Sequence, residues 1–114
     1  NTYCDNLIIS EIIREQIIKN FRQEIPYATS VYIKHKEYKQ KENTFIINAD
    51  IIVEKASQKP IVIGAKGKMI KTIRVNSLKK LHTIYDCKIE LHLFVVVKED
   101  WRNNENNLKD NGYF

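Results

Sequence analysis

The first apolar pattern along the chain has the period of an α-helix. From Leu7 to Gln23 large apolar side chains recur every three or four residues, which places them along one side of a helix. This side holds Ile9, Ile12, Ile13, Gln16, Ile17 and Phe21, which are all apolar except Gln16. Pro26 closes the segment because proline cannot continue a helix. An isoleucine stripe predicts a helix packed on a core or an interface, and it contains nothing that points to catalysis.

Two strands joined by a turn are predicted next. Apolar and polar residues alternate from Val31 to Tyr38 and again from Phe45 to Glu54, which is typical of strands that are half buried. The apolar side of the first strand is predicted to hold Val31, Ile33 and His35. Because only the polar turn 39–43 and Thr44 separate the two segments, we expect them to pair as a hairpin.

The helical period returns from Gly67 to Tyr85, and a third alternating strand follows from Lys88 to Val97. The buried side of this helix is predicted to hold Ile70, Ile73, Ser77, Leu81 and Ile84, and the opposite side Lys68, Lys71, Thr72, Val75, Lys79 and His82. The polar end, 98–114, is predicted to form a last short helix anchored by Trp101, Leu108 and Tyr113. Together these elements predict one α+β domain, a three-stranded sheet with helices packed on one face.

Length and composition narrow the class of protein. A chain of 114 residues suits a single domain. None of its apolar runs is long enough to cross a bilayer, and its first residues lack the pattern of a signal peptide. There is no initiator methionine, so we interpret the chain as a piece of a longer protein. Cys4 and Cys87 have no metal-type spacing, and we expect reduced thiols and no metal site.

The charge is distributed unevenly. From Lys55 through Tyr85 there are eight lysine and arginine side chains and no acid, so the other residues sum to −3, since the whole chain carries +5. Such a stretch indicates a surface that faces a polyanion such as nucleic acid. The alternative is a solvated lysine-rich helix.

Two of the three glycines stand together in Val62-Ile63-Gly64-Ala65-Lys66-Gly67-Lys68, just before the basic helix. Glycine admits positive φ and has no Cβ to hold a ligand away. The amides that open a helix lack intrahelical partners and lie at the positive end of its dipole, so a phosphate would find donors there. Lys66 and Lys68 would add charge. A G-x-x-G alone is more typical of a plain helix-opening turn than of a clamp. The surrounding order of strand, strand, turn, basic helix and strand reverses this and favours a phosphate clamp.

No residue set in the sequence supports catalysis. The glycines lie too close together for a P-loop, and Lys68-Met69 lacks the required hydroxyl. His35, His82 and His92 are isolated along the chain. We therefore expect no enzyme activity, catalytic residue, metal or cofactor in this chain.

The residues resemble a known family. Residues 62–67 followed by a helix are similar to the G-x-x-G loop of a KH domain, an RNA-clamping module, and the strand pair before them resembles the type II arrangement. The flanking segments resemble the C-terminal KH domain of Era-type GTPases. These segments are 10–15, 24–27, 53–64, 87–88, 97–102 and 108–113.

The resemblance implies a fold and a setting. It implies a type II KH domain over residues 7–114, with a leading helix and a C-terminal helical tail, and residues 1–6 as the tail of a preceding GTPase domain or a linker. In that family the domain binds the 3′ end of small-subunit ribosomal RNA during ribosome assembly, under the control of GTP. GTP and Mg²⁺ would then belong to an absent N-terminal domain, and the partners would be RNA, the small ribosomal subunit and the GTPase domain.

The resemblance also implies site residues. Gly64, Ala65, Lys66 and Gly67 would form the clamp, with Lys68 and Lys71 beside it. The nearest candidates for a groove that accepts bases are Ile61, Val62, Ile63, Ile70 and Arg74. The alternative is a KH fold that has lost RNA binding and docks on the GTPase domain or on ribosomal proteins, because Ala65 stands where the family usually has a basic or polar residue.

The codons of the abundant isoleucine, asparagine and lysine are AT-rich. They favour the cytoplasm of a low-GC bacterium, or a plastid or mitochondrion of an AT-rich eukaryote.

Overall fold

The computed structural model of the chain describes residues 2–21 and 29–99. In chain order the main elements are α1 (Thr2–Asn20), β1 (Thr29–Lys39), β2 (Thr44–Val53), α2 (Lys59–Ile63), α3 (Lys68–Leu81) and β3 (Lys88–Val97). Short 3-10 turns occupy Gln40–Glu42, Ala56–Gln58 and Ala65–Gly67. This arrangement confirms the predicted α+β class, with one three-stranded mixed sheet.

Strand β2 is the centre of the sheet, and β1 and β3 are its edges. Strands β1 and β2 are antiparallel and form the predicted hairpin. Strand β3 pairs with β2 in parallel, from Thr44 opposite Lys88 to Val53 opposite Val97. A parallel partner requires the chain to return to the other end of the sheet. The crossover formed by α2 and α3 provides this return, and it therefore determines where the glycine turn lies.

The core lies between the helices and one face of the sheet. Its fully buried residues come at helical spacing from α1 and α3 and at alternate positions from β2. They are Ile9, Ile13 and Ile17 of α1, Ile73 and Leu81 of α3, and Ile47, Ala49, Ile51 and Val53 of β2, together with Val62 of α2. The predicted apolar sides of α1, α3 and β2 are therefore the ones that pack together.

Helix α1 begins earlier and ends earlier than the predicted span of Leu7 to Gln23. It starts at Thr2, because its first turn is held by the rest of the fold: the Tyr85 hydroxyl donates to Oδ1 of Asp5 at 2.9 Å. Ser10 does not interrupt the helix, since its hydroxyl donates to the Leu7 carbonyl. The helix ends at Asn20, whose side-chain amide donates to the Gln16 carbonyl. The predicted closure at Pro26 lies outside the described residues.

A β-bulge in β1 changes which residues face the helices. The pairing shifts between Ile33 and His35, so His35 lies opposite Asn48 rather than on the core side with Ile33. The prediction that His35 shares a face with Val31 and Ile33 is therefore wrong. One extra residue reverses the face of everything after it, and Tyr38 consequently lies beside Phe45 on the helix side of the sheet.

Helix α3 is shorter than the predicted span of Gly67 to Tyr85. It ends at Leu81, and the Thr83 hydroxyl donates to the Lys80 carbonyl in the turn that follows. Ile84, which the helical period places on the buried side, is 48% exposed because the helical register no longer applies there. The sequence does not predict the short helix α2, since five residues with Pro60 in their first turn are too few to show a period.

The predicted C-terminal helix with Trp101, Leu108 and Tyr113 lies outside the described residues. Within residues 2–21 and 29–99, none of the helices combines the length and the hydropathy that a membrane-spanning helix needs.

We predict that Ser77→Ala stabilises the protein. Ser77 is fully buried in α3, and among the described residues its hydroxyl oxygen has no hydrogen-bond partner. Removing a buried hydroxyl without a partner should raise the free energy of unfolding by about 1 kcal/mol. Urea unfolding of both proteins checks this. The matched control is Ser10→Ala, which makes the same change inside α1 at a half-buried, hydrogen-bonded hydroxyl and should stabilise less than Ser77→Ala. A loss of stability in Ser77→Ala would contradict the expectation.

We predict that Tyr85 makes stability depend on pH in the alkaline range. Burial removes water from the phenolate, and the hydrogen bond to Asp5 adds to this, so the pKa of Tyr85 is raised to about 12. An unfolded tyrosine has a pKa of about 10. Folding therefore favours the protonated form, and this stabilisation is complete below about pH 10 and is lost as the pH rises through about 12.

The measurement is urea unfolding of the wild type and of Tyr85→Phe across that range. Below about pH 10 the variant should be less stable by about 1 kcal/mol, because it lacks the hydrogen bond. The difference should shrink as the pH approaches 12, since only the wild type has this group to titrate. A difference that stays constant with pH would contradict the assignment.

Candidate nucleic-acid interface

The glycine turn connects α2 to α3 through an unusual backbone. Three of its residues have positive φ: Gly64 at 79°, Lys66 at 55° and Gly67 at 74°. Lys66 is one of two residues other than glycine with positive φ in the described part of the chain. A left-handed lysine is sterically unfavourable, so the surrounding turn must hold it there.

Gly64 is required by a close approach as well as by its φ. A Cβ at this position would lie 2.7 Å from both the backbone nitrogen and the Cβ of Met69 in the first turn of α3. By contrast, a Cβ at Gly67 would meet nothing within 4 Å. Gly64 therefore lets α2 and α3 meet at a tight corner, whereas Gly67 is needed for its backbone conformation alone.

Two backbone amides donate hydrogen bonds to carbonyl groups within the turn. The Gly67 amide donates to the Gly64 carbonyl at 3.0 Å, and the Lys68 amide donates to the Ala65 carbonyl. The expectation that the amides opening α3 lack internal partners is therefore wrong for Lys68. Ala65 and Lys66 are the exposed residues of the turn, and no side chain caps α3 at Gly67. A phosphate would thus meet this exposed pair and the neighbouring lysine side chains.

Gln58 holds the segment that leads from β2 into α2, and sequence reasoning missed it. Its side chain is buried, and its Oε1 accepts hydrogen bonds from the backbone amides of Glu54 at 3.0 Å and Lys55 at 2.8 Å. These bonds anchor the chain where β2 ends and α2 begins. A glutamine between a strand and a proline gives no sign in the sequence that it caps a strand end.

Basic side chains continue from the turn along α3. Lys66, Lys68 and Lys71 are exposed, and Arg74 is half buried. None of these four side chains forms an ion pair with another residue of the described ranges. Their charges therefore remain available to an external anion.

A groove runs between α3 and the edge strand β3. It has a volume of about 490 Å³. Its walls are Arg74 and Leu78 on the helix and residues 89–94 on the strand. Among residues 2–21 and 29–99, only β2 pairs with β3, so the other edge of β3 presents backbone donors and acceptors to this groove. The groove thus combines apolar side chains of α3 and β3 with the polar Glu90 and His92 and a hydrogen-bonding edge.

The residues predicted to line a base-accepting groove differ in their positions in the structure. Arg74 lines the groove, while Ile63 and Ile70 are half buried and pack against the core. Val62 is fully buried, so the prediction that it accepts a base is wrong. Sequence reasoning missed Leu78 and the β3 wall, because no sequence signal says that β3 is the strand beside α3.

Within residues 2–21 and 29–99, no group of three or more histidine, cysteine or acidic side chains is arranged to hold a metal ion. The roles predicted for the loop residues, for Lys68, Lys71 and Arg74 and for Ile63 stay predictions.

Comparison with known proteins identifies a family. Residues 24–102 match the family model described as "KH domain". GTPase Era of Ureaplasma parvum serovar 3 is 49% identical over 109 residues, which are 96% of this chain and 36% of that protein. GTPase Era of Lactobacillus helveticus is 41% identical over 106 residues, covering 93% of this chain and 35% of that protein. The chain therefore spans little more than a third of the length of the curated relatives that it matches.

A solved structure has the same fold. It is titled "Crystal structure of Era in complex with MgGDPNP and nucleotides 1506-1542 of 16S ribosomal RNA". The match has a TM-score of 0.86 and 32% identity, and it covers 95% of this chain and 36% of that one. These findings confirm the resemblance to the KH region of Era-type GTPases and the predicted fold.

We predict that the two glycines of the turn differ in what they tolerate. Gly64→Ala should lower the free energy of unfolding by about 3 kcal/mol or more, because the methyl group meets the Met69 backbone in a conformation that only glycine adopts readily. Gly67→Ala should cost about 1 kcal/mol, since only the left-handed φ opposes it. Thermal and urea unfolding of the two variants measure this, and equal destabilisation of the two would contradict the close-approach argument.

Proposed function

Because the chain belongs to the KH domain family, we propose that it binds single-stranded RNA, with the glycine turn on the phosphates and the α3–β3 groove on the bases. The observation that carries the proposal is the continuity of the two features along α3. Lys68 opens the helix beside the turn, and Arg74 lines the groove roughly 9 Å further along the helix axis. A strand of RNA held at the turn would thus be led directly into the groove.

The turn and its lysines would hold the sugar–phosphate backbone. Gly64 and Gly67 have no side chains to hold a ligand away, so an RNA strand can approach the exposed Ala65–Lys66 pair closely. The free ammonium groups of Lys66, Lys68 and Lys71 would neutralise phosphates. This contribution does not depend on sequence, and it weakens as salt rises, because binding releases counterions.

The groove would take about four nucleotides, as in KH domains generally. Its leucine, isoleucine and phenylalanine side chains are a surface against which bases can lie. The edge of β3 that no strand of the described ranges covers provides amides and carbonyls that can pair with base edges. Arg74 adds a planar donor at the rim, suited to a phosphate or a guanine.

We propose the 3′ end of small-subunit ribosomal RNA as the target, in the setting of ribosome assembly. The support is the similarity to a structure whose title names an Era complex with a 16S ribosomal RNA fragment. We also propose that the chain has no catalytic activity and belongs to a longer GTPase, in which GTP and Mg²⁺ bind elsewhere. For its location, we propose the cytoplasm of a low-GC bacterium or an organelle of an AT-rich eukaryote.

A second candidate is a KH fold that docks on proteins and no longer binds RNA. The observation in its favour is Ala65, a methyl side chain at an exposed position of the clamp.

We predict that Lys66→Asp weakens RNA binding about tenfold or more, because it replaces a phosphate-neutralising charge with a repelling one. A labelled oligonucleotide that copies the 3′ end of small-subunit ribosomal RNA is titrated by fluorescence anisotropy, beside a scrambled oligonucleotide. The salt dependence should also flatten, by about 0.7 in the slope of log K against log salt for each phosphate that the variant no longer neutralises.

The matched control is Lys79→Asp, the same change at an exposed lysine in the last turn of α3, roughly 16 Å from Lys68 along the helix. It should weaken binding less than about threefold. Equal affinity for the two oligonucleotides, unchanged in Lys66→Asp, would refute the clamp and would favour the protein-docking candidate.

A further inference from the structure

A second recess lies at the other end of α3 from the glycine turn. It has a volume of about 420 Å³. It is lined by Asp5, Lys36, Glu37, Tyr38, Asn43, Phe45, Tyr85, Asp86 and Cys87. These residues come from the start of α1, the hairpin and the segment that leaves α3 for β3. Since α3 has 14 residues, the recess is roughly 20 Å from the turn along the helix.

Three aromatic rings form the apolar part of this recess, and each is held in place. Tyr38 and Phe45 are cross-strand neighbours, and the rings of Phe45 and Tyr85 meet edge to face with centroids 5.2 Å apart. The Tyr38 hydroxyl donates to Oδ1 of Asn43 at 2.6 Å, and the Tyr85 hydroxyl donates to Asp5. Tyr38 is nevertheless 52% exposed, so its fixed ring is open to a ligand.

The bulge in β1 is what completes this arrangement. Without the extra residue near Lys34, Tyr38 would point to the opposite face of the sheet, away from Phe45 and Tyr85.

The charge around the rings is mainly negative. Asp5 and Asp86 contribute two carboxylates, and Lys36 contributes one ammonium group. Glu37 also borders the recess, but the alternation in β1 places its carboxylate on the opposite face from Tyr38. Asp86 is exposed and has no ion pair with another residue of the described ranges. Asp5 Oδ1 accepts the Tyr85 hydroxyl, and Glu37 lies 3.5 Å from Nε2 of His35. A ligand that complements this recess must carry positive charge and must also cover aromatic rings.

We propose that this recess binds an arginine side chain from a basic segment of a protein partner. A guanidinium group is planar and weakly hydrated, so it can stack on Tyr38 or Tyr85 while its N–H groups donate to the carboxylates. A lysine ammonium group offers no flat surface to stack. The anionic RNA proposed for the glycine turn is repelled by the same carboxylates, so the two ends of α3 serve partners of opposite charge.

The test is a nuclear magnetic resonance titration of the ¹⁵N-labelled chain with an acetylated and amidated Arg-Gly-Gly repeat peptide. Saturable shifts are expected at the backbone amides of Asn43, Phe45, Tyr85 and Cys87 and not at the glycine turn. The same peptide with citrulline in place of arginine, which keeps the shape and removes the charge, should bind at least about threefold more weakly, and a lysine peptide should also bind more weakly.

Substitutions at two exposed residues of the recess test whether their side chains bind the arginine peptide. Asp86→Asn should weaken the arginine peptide about threefold, and Tyr38→Ala should weaken it about threefold or more. The matched control is Glu99→Gln, which removes one negative charge just after the far end of β3 and should leave the affinity unchanged. RNA binding, measured separately, should be the same in Asp86→Asn as in the wild type.

Three outcomes would overturn the proposal: shifts outside the recess, equal binding of the citrulline peptide, or an equally weakened affinity in Glu99→Gln. Equal binding of the lysine peptide would overturn the choice of arginine.

Discussion

The close approach of Gly64 to Met69 is the constraint on which the rest of the structure depends. With no Cβ at Gly64, the last residues of α2 and the first turn of α3 come together at a distance that no side chain permits. This corner turns the chain back so that α3 runs beside β3 and β3 can pair with β2 in parallel. The same corner carries the exposed Ala65–Lys66 pair. One steric requirement therefore determines both the path of the crossover and the position of the basic loop.

The two ends of α3 differ in chemistry for identifiable reasons. At its start, the turn exposes lysines in a stretch with no acid, and these charges have no partners among the described residues. At its end, α1 brings Asp5, the hairpin brings Tyr38 and Phe45, and the connection to β3 brings Tyr85 and Asp86. These residues are distant in sequence, so only the fold makes them one surface. The helix between the two ends keeps them apart as a rigid spacer.

Much of the fold is predictable because burial imposes regular spacing on the sequence. The stripe of Ile9, Ile13 and Ile17 and the alternation in β2 repeat with the periods of a helix and a strand, and those residues form the core. The predictions fail where a local feature breaks the period. The bulge before His35 reverses the face of the following residues, and the end of α3 at Leu81 leaves Ile84 exposed. The periodicity of apolar residues does not reveal where a residue is inserted in a strand or where a helix ends.

The sequence by itself determined the elements of the sheet, the basic stretch and the glycine turn with its lysines, because each depends on residues close together in the chain. Only the tertiary structure decided that Val62 is buried, that Leu78 and β3 form the groove with Arg74, and that Gln58 caps the end of β2. The edge position of β3 and the meeting of Asp5 with Tyr85 depend on pairing between distant segments. That pairing follows from how the whole chain buries its apolar surface, which no local pattern specifies.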